Sequence, residues 1–386
     1  EKLVGNPGAI HREAVEAKKS LEDSRARIAV LLGCKAREII FTSGLTEANN
    51  LAIVGYAKWL ERTRRSLKGT HWIVSSIEHD SVLESFAEVE RMGGIVTHIR
   101  PDGRGLILPE VLEKTLRPET VFVSIGWANN EIGTIQPLAK IARVIREHEN
   151  NTSLTCVHKS DLCGCAERVV FHSDAGQAPL YLATVVSSLG IDLLALGANK
   201  LHGPHGIGAL YISKRTSLVR MMAGGAQERG LRAGTESVAL AAGFAAAYER
   251  VAHERERESK RIRILRDDLA QRLMRIPGVE INGDQKETLP YMLNVSIPPK
   301  PELSERTSEY LALALDARGI AVSTKSACRE GEESRSHVVD ALGGGEWRAQ
   351  NTLRFSLGRD TTASDIVRCA KVLTNVLSQK DSKVRP

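Results

Sequence analysis

Lys200 and Asp174 are the two side chains best placed by sequence to do covalent and acid chemistry together. The lysine ends an apolar run, Gly190-Ile-Asp-Leu-Leu-Ala-Leu-Gly-Ala-Asn-Lys200. A glycine-rich turn and a second apolar run to Tyr211 follow it. A lysine at the lip of a strand, among glycines, can form a Schiff base with a carbonyl. The same pattern also describes a surface lysine beside a turn. Asp174, which closes Val169-Val-Phe-His-Ser-Asp174, shifts the balance toward chemistry. A lysine for the Schiff base and an acid for a pyridine nitrogen are the pair that pyridoxal phosphate requires.

Other polar residues fall at similar points. His79 follows the apolar run 71–77, and Asn130 follows Val121 to Ile125. A lone histidine is more often structural, but four polar residues at successive strand ends form a pattern. Gly44 allows a tight turn and Thr46 sits at a helix start, where a hydroxyl and nearby amides can receive an anion; the plain alternative is an N-cap. Cys328 stands in a polar stretch between Lys325 and Arg329, where a thiol can become a nucleophile; the alternative is a stray surface cysteine. Arg354 lies in an alternating segment, and its guanidinium fork suits a carboxylate. Cys156, Cys163 and Cys165, with His158, crowd a segment that breaks the rhythm of the chain. No metal is expected there, since the spacing matches no strong ligand motif, although zinc or an iron–sulfur centre is the chemistry such residues offer.

The elements that must position these residues repeat as strand, polar loop and helix. Strands are expected at 71–77, 94–99, 121–125, 169–174, 291–297, 320–323 and 351–357, and helices at 11–32, 81–92, 137–148, 238–251, onward to about 275, and 362–377. That order is the signature of an α/β fold with a mainly parallel central sheet, whose functional groups gather at strand ends. A smaller α+β domain is expected after it. The divisions are an N-terminal segment 1–32 packing with the small domain, a large domain 33–250 with a cysteine-bearing insertion 150–167, and a small domain 251–386 carrying a mobile loop 323–338. The glycine loop 223–236 reads as an oligomer contact or ligand loop.

With 386 residues, the chain is long enough for two domains. Its net charge of +6 is spread among acids, as in Glu254 to Arg275, which argues for solvated helices and against a nucleic-acid track. No apolar run is long enough to span a bilayer, so no membrane partner is expected. Six cysteines at this size require no disulfide scaffold, and cytoplasm, or an organelle matrix if a targeting segment has been removed, is the expected location. Glu1-Lys-Leu-Val-Gly-Asn-Pro7 does not read as a natural start, so sequence is expected before it.

The ordered set Gly5-Asn-Pro-Gly8, Phe41-Thr-Ser-Gly-Leu-Thr-Glu-Ala-Asn-Asn50, Ile77-Glu-His-Asp80, Asn129-Asn-Glu-Ile-Gly-Thr134, Asp174-Ala-Gly-Gln177, Lys200 with Gly203-Pro204, Gln227-Glu-Arg-Gly-Leu-Arg-Ala-Gly-Thr235, Ser326-Ala-Cys328 and Leu353-Arg-Phe-Ser-Leu-Gly-Arg359 resembles the cysteine desulfurases of the class V aminotransferase group. Within that group it resembles the nitrogen-fixation and iron–sulfur-cluster type. The resemblance covers nearly the whole chain. It implies a pyridoxal-phosphate-dependent transferase of fold type I, with Lys200 in the Schiff base, Asp174 on the pyridine nitrogen and His79 stacked on the ring. Gln177 and Asn130 would lie near the ring oxygen, with Asn130 also touching substrate. Thr46 would bind phosphate, and Thr235 the phosphate of the partner in a homodimer. Arg354 would hold the carboxylate of L-cysteine. Cys328 would take its sulfur as a persulfide, leaving alanine, for transfer to an acceptor protein of iron–sulfur assembly or tRNA thiolation.

Some positions depart from the family pattern. Gly197 replaces a serine or threonine three residues before the lysine, Asn199 replaces a histidine just before it, and Gly176 replaces an alanine or small hydroxyl residue. The family's opening strand, with its Asn-Ala-Ala-Thr-like segment, is missing. Two other readings follow: a selenocysteine lyase or related pyridoxal enzyme, and a weakened paralogue that serves as a sulfur-transfer scaffold.

Overall fold

A computed structural model describes residues 5–155, 168–299, 307–324 and 335–378. The chain divides into two compact units. The first comprises Glu1–Arg100, Ile107–Ala128 and Gln136–Arg255, and the second Pro101–Leu106, Asn129–Ile135 and Glu256–Pro386.

In the first unit, the elements run α1 (Arg12–Leu32), β1 (Ile39–Thr42), α2 (Leu45–Arg64), β2 (His71–Ser75), α3 (Asp80–Arg91), β3 (Ile95–Ile99), α4 (Pro109–Thr115), β4 (Thr120–Ser124), α5 (Leu138–Thr155), β5 (Val170–Asp174), α6 (Val186–Leu189), β6 (Leu193–Gly197), β7 (Gly208–Ile212) and the N-terminal part of α7 (Val238–Leu273), whose residues from Glu256 on belong to the second unit. The strands form one sheet in the order β1-β7-β6-β5-β4-β2-β3. β7 is antiparallel to both of its neighbours, and the pairs from β6 through β5, β4 and β2 to β3 are parallel. The expected mainly parallel sheet is therefore present. Its central strands are buried on both faces, which is why they read as short apolar runs and not as alternating ones.

Under α2 and α3 the core is aromatic. Trp72 and Phe122 stack with ring centroids 5.0 Å apart, and Tyr56 packs 5.4 Å from Phe122. Full burial of each such side chain contributes about 1.5–3 kcal/mol. His172, one of the histidines in a strand, is wholly buried among these residues. Burial pushes its pKa down to about 3, so it is a neutral core group bonded to Ser124 Oγ at 2.8 Å.

The second unit holds β8 (Glu280–Asn282), β9 (Met292–Ser296), α8 (Ser308–Asp316), α9 (His337–Ala341), α10 (Glu346–Gln350), β10 (Thr352–Ser356) and α11 (Ala363–Ser378). Its sheet is antiparallel in the order β10-β9-β8.

Several expectations change. Residues 320–323 make no strand; Ser323 forms only an isolated bridge to Arg354, with backbone bonds of 3.1 and 2.7 Å. The helix expected from Val238 onward to about 275 is one continuous element to Leu273, its charged half supported by ion pairs one turn apart such as Arg250–Glu254 and Lys260–Glu256. α1 groups with the first unit and not with the smaller one, since Arg25 reaches Ile39 O and Glu228 there. Asn130, expected in the large domain, groups with the second unit, where Leu289 N–H donates to Gly133 O and Asn294 Nδ2 to Glu131 O. Among the described residues no helix is long and apolar enough to cross a membrane.

Candidate functional site

Four neighbouring strands of the first unit deliver the candidate groups. β6 ends at Gly197 and passes through a single 3-10 turn, Ala198–Leu201, that exposes Lys200. β5, its parallel neighbour, ends on Asp174, which pairs in register with Ala195. β4 runs out at Gly126, and β2 leads to Glu78 and His79. The parallel register places all these ends on one edge of the sheet, as expected for such folds.

Asp174 is held without a cation among the described residues. Its Oδ1 accepts the N–H of Gly176 at 2.7 Å and its Oδ2 accepts Asn49 Nδ2 at 2.7 Å. Two neutral donors fix the carboxylate and leave its charge uncompensated, which suits a protonated ring nitrogen. Asn49 also donates to Ser81 Oγ at 2.9 Å, and Ser81 meets His79 Nδ1. His79 caps α3, accepting the N–H of Ser81 at 3.1 Å.

Glu78 is a further carboxyl in this group. It is 5% exposed, and its Oε1 accepts the N–H of Gly126 at 2.8 Å. A Cβ on Gly126 would lie 2.8 Å from Glu78 Oε2, so only glycine lets the carboxyl seat there. Burial, together with repulsion from Asp174, pushes the Glu78 pKa up to about 8.

The turn into α2 forms the anion end. Gly44, not Thr46, is the N-cap; no side chain caps the helix, and Thr46 lies one residue inside it, exposed. Gly208 on β7 lets the turn approach, since a Cβ there would meet Gly44 Cα at 2.8 Å. Leu45 then explains two glycines that depart from the family pattern. A Cβ at Gly176 would lie 2.8 Å from Leu45 Cδ1, and one at Gly197 would lie 2.9 Å from both Leu45 Cγ and Cδ1. The leucine fills the space in which side chains at 176 and 197 would stand. Asn199 folds toward the same place, with Oδ1 3.1 Å from the Gly197 Cβ position.

These residues fit pyridoxal phosphate: a lysine, a cation-free carboxylate two strand ends away from an imidazole, and an uncapped helix start for the phosphate. With Gly197 lacking a hydroxyl, the uncapped first amides of α2 and Thr46 are what remain there for a phosphate. Gly197 has extended backbone, so Gly197→Ala tests the packing alone. It is expected to lower stability by about 1–3 kcal/mol, with Leu45→Ala in the same chain restoring most of it. A double-mutant cycle by urea unfolding that shows no coupling would refute this explanation.

In the second unit Arg354, half-buried on β10, donates from Nη1 to Asn130 O at 3.0 Å. Its Nε is buried and has no partner among the described residues, so the guanidinium has donors not used by Asn130, and such donors suit a carboxylate. Asn130 and Gln177 are half-buried, and Thr235 is exposed in the glycine loop. Cys328, Cys156, Cys163 and Cys165 lie outside the described residues. Of the cysteines described, Cys34 and Cys369 are free, and burial raises them to about 12 and about 11, so both are inert thiols. No cluster of metal-ligating side chains occurs among the described residues.

Sequence reasoning did not single out Asn49, Ser81, Glu78 or Leu45. Glu78 had one available signal, an acid directly beside the candidate histidine. Asn49 had another, an amide on the apolar face of a helix.

The family profile described as "Aminotransferase class-V" matches residues 1–369. A cysteine desulfurase, IscS, of Dictyoglomus turgidum is 37% identical over 376 residues, covering 97% of this chain and 88% of that one. A mitochondrial cysteine desulfurase of Arthroderma benhamiae is 37% identical, over 94% of this chain and 67% of its own. Among solved structures, a NifS-like protein superposes with a TM-score of 0.84 at 31% identity, covering 98% of this chain and 93% of that one. SspA in complex with cysteine superposes with a TM-score of 0.73 at 32% identity, covering 92% and 91%.

Proposed function

The chain belongs to the class-V aminotransferase family, in which it closely matches cysteine desulfurases of the IscS and NifS type, and from that premise we propose that it converts L-cysteine to L-alanine while taking the sulfur as a persulfide on Cys328. It is a pyridoxal-phosphate-dependent enzyme. The observation that carries the reading is the Asp174 carboxylate, held by Asn49 and Gly176 with no cation among the described residues, at the strand end beside the one that leads to Lys200.

Pyridoxal phosphate supplies an electron sink that loosens first the α-proton and then the β-substituent of an amino acid. Lys200 holds it and then moves a proton at Nζ. Asp174 keeps the ring nitrogen protonated by accepting its N–H. His79 would lie against the ring, Gln177 and Asn130 would hold its oxygen, and Thr46 and the first amides of α2 would receive the phosphate. Thr235 reaches the phosphate of a partner subunit, so the working form is a homodimer. The Arg354 guanidinium, which gives Nη1 to Asn130 O, would take the substrate carboxylate with its remaining donors. The Cys328 thiolate would attack the substrate thiol sulfur, so that an S–S bond forms as the substrate C–S bond breaks; the β-carbon keeps the electron pair and takes the proton that the Cys328 thiol gave up, and alanine leaves once Lys200 has returned the α-proton. The persulfide passes to an acceptor protein of iron–sulfur assembly or tRNA thiolation.

The test is the visible spectrum of the purified protein with pyridoxal phosphate, before and after L-cysteine, with alanine measured in the same tube. A yellow band that changes with cysteine is expected, with alanine from wild type and none from Cys328→Ala. Absence of the band after added pyridoxal phosphate, together with absence of alanine, would overturn the reading in favour of a sulfur-transfer scaffold.

A further inference from the structure

Asn49 is fully buried in the second turn of α2. Both N–H groups of its amide are used, one on Asp174 Oδ2 at 2.7 Å and the other on Ser81 Oγ at 2.9 Å. A carboxylate only accepts, so the amide has one allowed orientation. In that orientation Oδ1 is buried and has no hydrogen-bond partner among the described residues. A buried carbonyl without a donor is destabilising, and an apolar residue of the same volume would remove the penalty. Asparagine therefore earns nothing here through packing; what it adds is two donors.

The second donor has a direction. Ser81 N–H points at His79 Nδ1 from 3.1 Å, so that nitrogen is an acceptor and the proton of the neutral ring sits on Nε2. The 3.0 Å contact between Ser81 Oγ and the same Nδ1 can then only be the hydroxyl donating. The donors run from Asn49 to Ser81 to His79 on one side, and from Asn49 to Asp174 on the other.

We propose that Asn49 is a positioning residue whose two amide N–H groups tie the Asp174 carboxylate and, through Ser81, the His79 imidazole into one fixed arrangement. The proposal rests on the pyridoxal-phosphate reading and adds to it how the acid and the imidazole are kept in mutual register. It also fixes His79 as a donor from Nε2, with Nδ1 already occupied.

Asn49→Leu separates this role from a merely structural one. It keeps the volume, removes both donors and removes the unpartnered carbonyl. The full-length variant is expected to melt close to wild type while binding pyridoxal phosphate about tenfold more weakly, the loss of one hydrogen bond to a charged group. Its His79 ring signals in 15N NMR, assigned with His79→Asn, are expected to move. Ser81→Ala removes only the hydroxyl arm to His79, so the His79 signals should move while Asn49 still holds Asp174 and less cofactor affinity is lost than in Asn49→Leu. Should Asn49→Leu fail to fold, Asn49→Ala gives the same two readings. A folded Asn49 variant that binds pyridoxal phosphate as tightly as wild type overturns the proposal, as do His79 signals that are unchanged in Ser81→Ala. If wild type binds no pyridoxal phosphate, the functional reading fails, and the NMR signals still decide whether Asn49 and Ser81 hold His79.

Discussion

Replacing Glu228 with alanine is expected to lower stability by about 3 kcal/mol, because it leaves the buried Arg25 charge with only the half-exposed Glu22 carboxylate, 3.1 Å from Nε, as its counter-ion. Arg25 of α1 is 6% exposed and Glu228 is 5% exposed. Their pairing is bidentate, with Nη1 to Oε2 and Nη2 to Oε1 both at 2.7 Å. Burial disfavours the guanidinium charge, and the hydrogen bonds and charge of Glu228 more than offset it, leaving Arg25 above its ordinary pKa. The same carboxylate accepts Phe41 N–H at 2.8 Å, and the guanidinium lies 4.7 Å from the Phe41 ring centroid. One acid thus joins α1, β1 and the glycine loop. The loop needs that anchor, since Glu228 and Arg229 adopt left-handed backbone at φ of 46° and 57°, a conformation that L residues with side chains resist. Urea unfolding would measure the loss. Arg25→Met with Glu228→Leu should lose less than Glu228→Ala alone, since removing both charges leaves none uncompensated. Equal losses would mean that packing, not charge, holds the junction. Because Thr235 is carried by the same loop, Glu228→Ala is also expected to weaken the homodimer proposed above, read as a shift toward monomer in sedimentation.

The strand ends were legible because each short apolar run of the sheet stops at a polar residue. That pattern alone puts Asp174, His79 and Lys200 at the ends of such runs. What escaped depends on contacts between distant segments. Asn49 lies in a stretch that reads as helix, and nothing nearby in sequence shows that its amide meets Asp174, 125 residues away. Gly176 and Gly197 read as lost hydroxyls; the structure shows them as the counterpart of a leucine at position 45. Thr46 does stand at the start of α2, as its place after Gly44 suggested; the alternative that it is the N-cap fails, because Gly44, which has no side-chain oxygen to mark it, holds that position. β8, at three residues, is too short to show a period, and it exists because Asn282 bonds Asn294 and Ser296 across the sheet at 2.8 and 2.7 Å. The strand expected at 320–323 had the right composition but lacked a ladder, which composition cannot reveal.

Glu78→Gln is expected to stabilise the cofactor-free protein at neutral pH by about 3 kcal/mol, and by more at higher pH. Glu78 has an ordinary pKa of 4.5 when unfolded and about 8 in the fold, where burial and the nearby Asp174 both disfavour its charge. The folded state therefore binds more protons than the unfolded state between those values. Stability is fully present below about 4.5 and is lost as pH rises toward 8, after which this group contributes no further slope. Glutamine keeps the carbonyl acceptor for Gly126 N–H and cannot ionise, so its chain should lack that slope. The measurement is urea unfolding of both proteins from pH 5 to pH 9. The two curves should lie close together at the acid end and separate steadily up to about pH 8. Parallel curves would show that Glu78 is already ionised in the fold at neutral pH, and the edge beside Asp174 would then hold two negative charges. Separation would show that Asp174 alone carries charge there, the arrangement that lets a single ring nitrogen neutralise it.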